Sequence, residues 1–497
     1  MSSRKKGGGK KGSAARTTVR TQAAKAPNED QGPSPWLAFA VAAWGLAIHF
    51  CHLQGDPLLR TPASFPFFGD SLHFLIKARE VVEGAPTPAA ALPFHPPFVS
   101  WLLAPLWSLF DSPAVISQAA KYLMMVINAA TYGGLFLLLR HRLPNAFWLC
   151  MLLPLSFGEL MLSSVANSEA VYRLLLLALL TLGLHWPVVG GVLHAFAALT
   201  RAEHLAILVV VPLVTLFMPN KRRYAGLLVL GALLVLIPAT LVNVNSMARY
   251  NQTHADELPA PLPLVVPVSF YGPLNFALAQ TEEEIYFSRQ TLPVAGSGAT
   301  LEPRHPEHND VILNGYAIGW QAITDDPQRF LERSWRKIGH SLNAFLYGYT
   351  WRNLPMSPMM VRRPVDMAHA APGYFWPAFL LLLAGAGLWY LRDHRWLLIA
   401  GLLLIAYRLA INTVFFPYLR SMMIAAPFVV LVLGSGVVAL AGRHGRKVLM
   451  VLVLGLGAYH LATGWQTRDY RIQGERDASG AIIDDRTVEI KWDGFRE

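Results

Sequence analysis

The chain has 497 residues, of which 54% are hydrophobic and only 15% charged. A soluble protein of this length needs far more polar surface, so that class is excluded and a polytopic, all-α membrane protein is expected. The formal charge of +11 does not point to nucleic acid, because the cations cluster at the ends of apolar runs, where they orient spans.

Residues 1–35 are rich in Lys, Arg, Gly, Ser and Ala, with eight basic residues before Asn28. They read as a disordered basic cytoplasmic tail that holds the first span in place. That span runs from Trp36 to about Leu53, and others are expected at 114–139, 145–162, 169–184, 187–200, 203–218 and 224–244. Four more follow at 373–391, 396–411, 420–440 and 448–463. The apolar piece 98–110 is short of the roughly 20 residues a span needs. If it stays on the surface, Arg140-His141-Arg142, Lys221-Arg222-Arg223, Arg392-His394-Arg395 and Arg443-Arg446-Lys447 all fall on the side of the N-terminal tail, as positive charge should.

That count gives about eleven transmembrane helices, N-terminus inside and C-terminus outside. The units are the tail, an N-terminal membrane core over 36–246 with a first outer loop at 54–113, and an extracytoplasmic loop at 247–371. C-terminal membrane helices cover 372–463 and a polar extracytoplasmic tail covers 464–497. Cys51 and Cys150 lie in or beside different apolar runs and carry no redox information.

The outer side collects the unusual residues. From Asp70 a helix with Leu72, Leu75, Ile76 and Val82 at helical spacing is expected in the first loop, followed by His95-Pro96-Pro97. An aspartate there suits the helix dipole and can cap the first amides. Asn167-Ser168-Glu169, Arg201-Ala202-Glu203-His204, Arg408, Asn412 and Arg420 follow on the same side. Arg408 and Asn167 read most simply as solvated span ends. Glu169 opens an apolar run and can reach inward, while Arg201 and Arg420 abut apolar sequence, where an unpaired cation costs several kcal/mol. An anionic ligand would offset that cost; so would Glu203.

In the large loop, Asp325-Asp326-Pro327 starts a helix that ends near Tyr347. Leu331, Trp335, Ile338, Leu342 and Phe345 form an apolar stripe opposite Arg329, Arg333, Arg336 and His340, a pattern suited to the outer membrane surface or to packing against the spans; its cations can hold a phosphate or, the favoured reading, face headgroups. Residues 255–310 read as irregular, and Asn251-Gln252-Thr253 matches a glycosylation acceptor tripeptide.

Gly69-Asp70, the helix ending Ala78-Arg79-Glu80-Val81-Val82-Glu83-Gly84, and His95-Pro96-Pro97-Phe98 together resemble the GT-C superfamily of integral-membrane glycosyltransferases. The likeness is to the branch of protein O-mannosyltransferases and aminoarabinose transferases. It extends through Asn167-Ser168-Glu169, Gly190-Gly191 to Leu199-Thr200-Arg201-Ala202-Glu203, Asp326-Pro327 to Lys337, and Tyr418-Leu419-Arg420. Two positions depart from the family pattern: its frequent Asp-Glu pair is Asp70-Ser71 here, and its frequent Tyr is His73.

The resemblance implies a GT-C fold, a polyprenyl-phosphate sugar donor and inverting transfer at the extracytoplasmic face, in a chain of a bacterial inner membrane. It makes Asp70 the general base and Glu169 the second catalytic acid. His95, Arg201, Glu203, Arg420 and Lys337 become substrate contacts, and a divalent metal is left open. The acceptor is a glycan, lipid or protein, with no nucleic-acid partner. Residue chemistry agrees, since a sugar on a lipid phosphate has a good leaving group and needs a base and cations rather than a nucleotide fold. No Gly-rich phosphate loop or Cys/His zinc spacing occurs in the chain. The alternatives are a lipid-linked glycan ligase or polymerase, and a transporter or flippase, which would want ionisable groups at mid-membrane and paired repeats.

Overall fold

A computed structural model of the chain describes residues 33–55, 69–86, 91–156, 159–160, 166–281, 303–347, 375–416 and 419–466. Among the described residues all regular structure is helical and there is no strand. Four stretches are long and apolar enough to cross a membrane by length and composition: Val115–Leu139, Arg222–Thr253, Arg395–Val414 and Met423–Ala462. Shorter apolar helices of 10–17 residues accompany them. An all-helical membrane protein is the architecture these segments support.

In chain order the helices are α1 (Leu37–Gly55), α2 (Gly69–Glu83), α3 (Phe98–Leu109), α4 (Pro113–Leu139) and α5 (Ala146–Leu152). Next come α6 (Ser168–Ala178), α7 (Pro187–Thr200), α8 (His204–Phe217) and α9 (Arg222–Thr253). Then follow α10 (Tyr271–Thr281), α11 (Pro306–Asp325), α12 (Pro327–Tyr347), α13 (Phe375–Tyr390) and α14 (Arg395–Val414). The last are α15 (Leu419–Met422), α16 (Ala426–Ala441) and α17 (Gly445–Gln466).

Local chemistry explains most boundaries. Prolines open α4, α7, α11 and α12 at the first helical position, where no backbone N–H is required. Asp326 accepts from the Arg329 amide at 2.9 Å, and Asn167 accepts from the Glu169 amide at 3.2 Å. Gly442, at φ 53°, breaks the apolar stretch Met423–Ala462 into α16 and α17, a turn any side chain would strain.

Three expectations need correction. The segment 145–162 is not one helix: α5 passes into a 3-10 turn at Leu153–Leu155 and the backbone is extended at Ser156. Pro154, which has no N–H to give, sits in that turn. The stretch 255–310 is not irregular throughout, since α10 lies inside it and α11 begins there. Asn251 is not a free acceptor. Its amide donates to the Leu262 carbonyl at 2.8 Å and its oxygen accepts from the Leu262 N–H at 2.9 Å, tying the end of α9 to the chain that follows.

The core divides by region. Buried residues of α1, α4, α5, α16 and α17 form the largest apolar cluster, among them Val41, Phe136, Leu149, Leu431 and Leu449. A second cluster joins Phe74, Leu75 and Ala78 of α2 to Val99 and Leu103 of α3, and to Ala166 and Ala170 around the start of α6. The helix pair α7–α9 crosses almost backbone to backbone. A Cβ on Gly191 would meet the Leu228 oxygen at 1.9 Å, and one on Gly231 the Val188 oxygen at 2.1 Å.

Candidate functional site: a buried charge network beneath the first-loop helices

Two short helices, α7 and α8, meet at Arg201-Ala202-Glu203, and this bend holds the centre of the site. The Arg201 guanidinium donates to Glu203 at 2.6 Å, to Glu169 at 2.9 Å and to the Ser168 hydroxyl at 3.1 Å. From α14, Arg408 reaches the same Glu203 oxygen at 2.8 Å, and the Tyr407 hydroxyl donates to the Glu203 carbonyl at 3.0 Å. Two acids and two guanidiniums therefore neutralise one another inside the helix assembly. Burial demands that balance, because an uncompensated charge in low dielectric costs several kcal/mol.

The network is not uniformly closed. Glu169 and Arg408 are essentially sealed, whereas the Arg201 and Glu203 side chains keep 14% and 17% of their surface. Among the described residues Arg408 Nε and Nη2 find no hydrogen-bond partner. Reading Arg408 and Asn167 as solvated span ends is thus overturned, since both are fully buried. A single signal pointed the other way: an arginine among apolar residues is expensive and demands a partner.

Measured along their helices at 1.5 Å per residue, these groups share one level. Arg408 stands about 20 Å from the start of α14, and Arg201 about 21 Å from the start of α7. Glu169 lies about 21 Å from Gly183, where the helical run begun at α6 ends. Above them α14 continues to Asn412, which donates to the Ser341 hydroxyl at 3.0 Å and accepts from Ser421 at 2.6 Å.

Ser341 belongs to α12, and α12 is inverted relative to the expectation. Its polar side faces the protein: Arg333, Ser334, Lys337 and Ser341 are buried, while Leu331 and Trp335 are 66% and 76% exposed. Lys337 donates to the Ala279 carbonyl at 2.9 Å and the Thr413 carbonyl at 3.3 Å. Burial, and after it the Arg333 charge, lower the Lys337 ammonium to about 8. Of the cations placed toward headgroups, Arg329 and Arg336 are exposed and Arg333 is not.

The first-loop helices roof the site. Asp70 stands in the first turn of α2, its side chain outside the described residues; Phe74, one turn on, packs in the cluster that contains Ala166 and Ala170. His95 lies between rings, with the His73 centroid at 4.1 Å and Tyr271 stacked at 4.8 Å. Burial, then the nearby His95 and Lys77, lower His73 well below the usual imidazole range, so it stays neutral near pH 7. Phe98 of α3 packs on Phe196 at 4.6 Å, and with Trp101 it borders the cluster around Leu199 that also touches Ala202. The loop and the charged bend are therefore in contact through packed rings.

A second buried network begins one turn further along α6, at Arg173. Glu159 pairs with Arg173 and accepts from the Tyr132 hydroxyl at 2.7 Å, while Arg173 also donates to Asn128 at 2.5 Å. The Glu159 and Arg173 side chains are 0% and 2% exposed. A chain of hydrogen bonds also runs from the Tyr172 hydroxyl to His204 Nδ1 at 2.7 Å and from His204 Nε2 to His194 Nδ1 at 2.9 Å.

Of the residues expected at the site, Glu169, Arg201 and Glu203 are bonded together, Lys337 faces the same interior, and His95 sits in the roof above. The side chain of Arg420 lies outside the described residues, next to Ser421, which is bonded to Asn412. Among the described residues no group of three or more His, Cys, Asp or Glu side chains is arranged to hold a metal. No family model, curated protein or solved structure matches the chain.

Proposed function

We propose that this protein is a membrane glycosyltransferase of GT-C type, moving a sugar from a polyprenyl-phosphate donor to an acceptor hydroxyl at the extracytoplasmic face. The reading uses the eleven-span arrangement, in which the charge network lies roughly 20 Å into a hydrocarbon core of about 30 Å. The observation that carries it is the convergence of four distant stretches, at 167–169, 201–203, 337–341 and 408–412, into one polar interior under the helix that bears Asp70.

In the proposed reaction the acceptor oxygen attacks the anomeric carbon. The bond from that carbon to the phosphate oxygen breaks, and polyprenyl phosphate leaves with the electron pair. Asp70 takes the hydroxyl proton, with the neutral His73 one turn below it. Lys337 and Arg420 meet the leaving phosphate. Arg201 already serves two carboxylates, so its part is to hold Glu169 and Glu203 in place while its exposed edge faces the substrate. His95 and Tyr271 offer stacked rings to a sugar. A short 12-residue α3 agrees with a helix lying along the interface rather than across it.

The test is turnover of the purified full chain on a panel of polyprenyl-phosphate sugars, read as released polyprenyl phosphate. Asp70→Asn should lower turnover by about 10² or more with donor binding retained, because an amide keeps the shape but cannot take the proton. If Asp70→Asn turns over like the unaltered chain while Glu169→Gln is inactive, the base has been misassigned. Failure of every donor to react would remove the glycosyltransferase reading itself. The Glu159–Arg173 pair favours a second reading, a transporter, because ionisable groups inside the membrane are its hallmark.

A further inference from the structure

At the far end of the bundle, away from the charge network, lies a cavity of about 1670 Å3. It opens between α4 and the run of α6, at the turns Arg140–Asn145 and Leu184–His185, with His394 beside them. The volume exceeds the roughly 300–1,000 Å3 of an ordinary small-molecule site. Local chemistry explains the opening. Gly134 lets the two helices touch, since a Cβ there would meet Leu177 Cδ2 at 2.8 Å. Below that contact the second helix changes to a π turn over Leu179–Gly183, a wider winding often found at functional places.

The lining has two parts. Leu137, Leu174, Leu177 and Leu180 form a long apolar wall, and Leu137 and Leu180 are 45% and 42% exposed along it. At the mouth stand Arg140, Arg142, His185 and His394, and among the described residues no carboxylate lines the cavity. Among the described residues both guanidiniums are held in place without an acid. Arg140 donates to the Pro33 carbonyl at 3.1 Å, and Arg142 lies over the Trp396 ring at 5.0 Å. Among the described residues neither forms an ion pair.

We propose that this cavity is a binding site for an anionic glycerophospholipid of the leaflet opposite the charge network. The phosphate sits among Arg140, Arg142 and His185, and an acyl chain lies along the leucine wall. Basic pockets between membrane helices take acidic headgroups in this way, and the apolar wall selects a lipid over a soluble anion. The protein's own N-terminal tail is a poorer occupant, because its eight cations before Asn28 outnumber Glu29 and Asp30 and would meet the same charge. The site is independent of the glycosyltransferase reading.

The experiment is native mass spectrometry of the full chain released from nanodiscs of equal phosphatidylglycerol and phosphatidylcholine, with thermal unfolding alongside. Retained lipid should be mainly phosphatidylglycerol. Arg140→Gln with Arg142→Gln should reduce that preference by roughly tenfold or more. Leu180→Trp, which fills the wall and keeps every charge, should lower retention of phosphatidylglycerol as well, and it carries the test if the double variant does not fold. Arg222→Gln with Arg223→Gln, at a basic turn outside the cavity, should leave the preference intact. Equal retention of the two lipids, equal loss in the 222/223 variant, or stabilisation reproduced by inorganic phosphate alone would overturn the proposal.

Discussion

The two buried ionic networks differ in closure rather than in charge. Around Glu159–Arg173, one acid meets one guanidinium, Tyr132 and Asn128 add further bonds, Arg173 Nε and Asn128 Nδ2 stay unbonded among the described residues, and solvent has almost no access. Around Glu203, two guanidiniums share one carboxylate oxygen, the side chain keeps 17% of its surface, and two Arg408 nitrogens are likewise unbonded. A closed pair does one thing, which is to lock α6 against the chain at 159 and α4. An open network keeps an edge, at Arg201 and Glu203, that something arriving can reach. Burial alone therefore does not mark a site; a buried ionic network with a reachable edge is the better candidate.

The largest test of this contrast is Arg173→Met. It strands Glu159 in the interior and should destabilise the protein by about 3–5 kcal/mol, seen as a lower unfolding midpoint in detergent. Adding Glu159→Leu should recover much of that loss, because removing both charges removes the desolvation cost. Arg408→Met should behave differently, since Glu203 keeps Arg201. Less than half the stability loss of Arg173→Met is expected, yet donor affinity should fall as well, because Glu203 and the partly exposed Arg201 lose a group that helps hold them in place. If the two arginine variants destabilise equally and donor binding is unchanged, the open network is as structural as the closed one.

A pH titration sharpens the open side. Burial and Arg333 lower Lys337 to about 8, so it is charged below that pH and neutral above it. Affinity for the donor phosphate should therefore be full below pH 7, fall through pH 8 and level off near pH 9–10, with the step absent in Lys337→Gln. The stability linkage has the opposite sign: a lowered lysine disfavours the fold while charged, and that cost is relieved between pH 8 and the ordinary lysine value. Smallest of all is Trp335→Ala. That ring points away from the protein, so the unfolding midpoint in detergent should move by no more than about 0.5 kcal/mol, while retention in a bilayer should fall.

Much of the helical layout was legible in the chain. Apolar periodicity and proline at the first helical position located α4, α7, α8, α12 and α14 within a few residues, because a membrane leaves few alternatives to long apolar helices. The alternating positions of Glu169, Arg201 and Glu203 beside apolar runs also announced their cost, and with it the need for partners. Which partners they take was not legible. Arg408 lies about two hundred positions from Glu203, and only the packing of α14 on the α7–α8 bend unites them. The same reason governs α12. Its two faces follow from the 3.6-residue period, but the period says nothing about which face meets the protein. Tertiary structure turned Lys337 and Ser341 inward, because polar groups on α10 and α14 could satisfy them there and the exposed face could be left apolar.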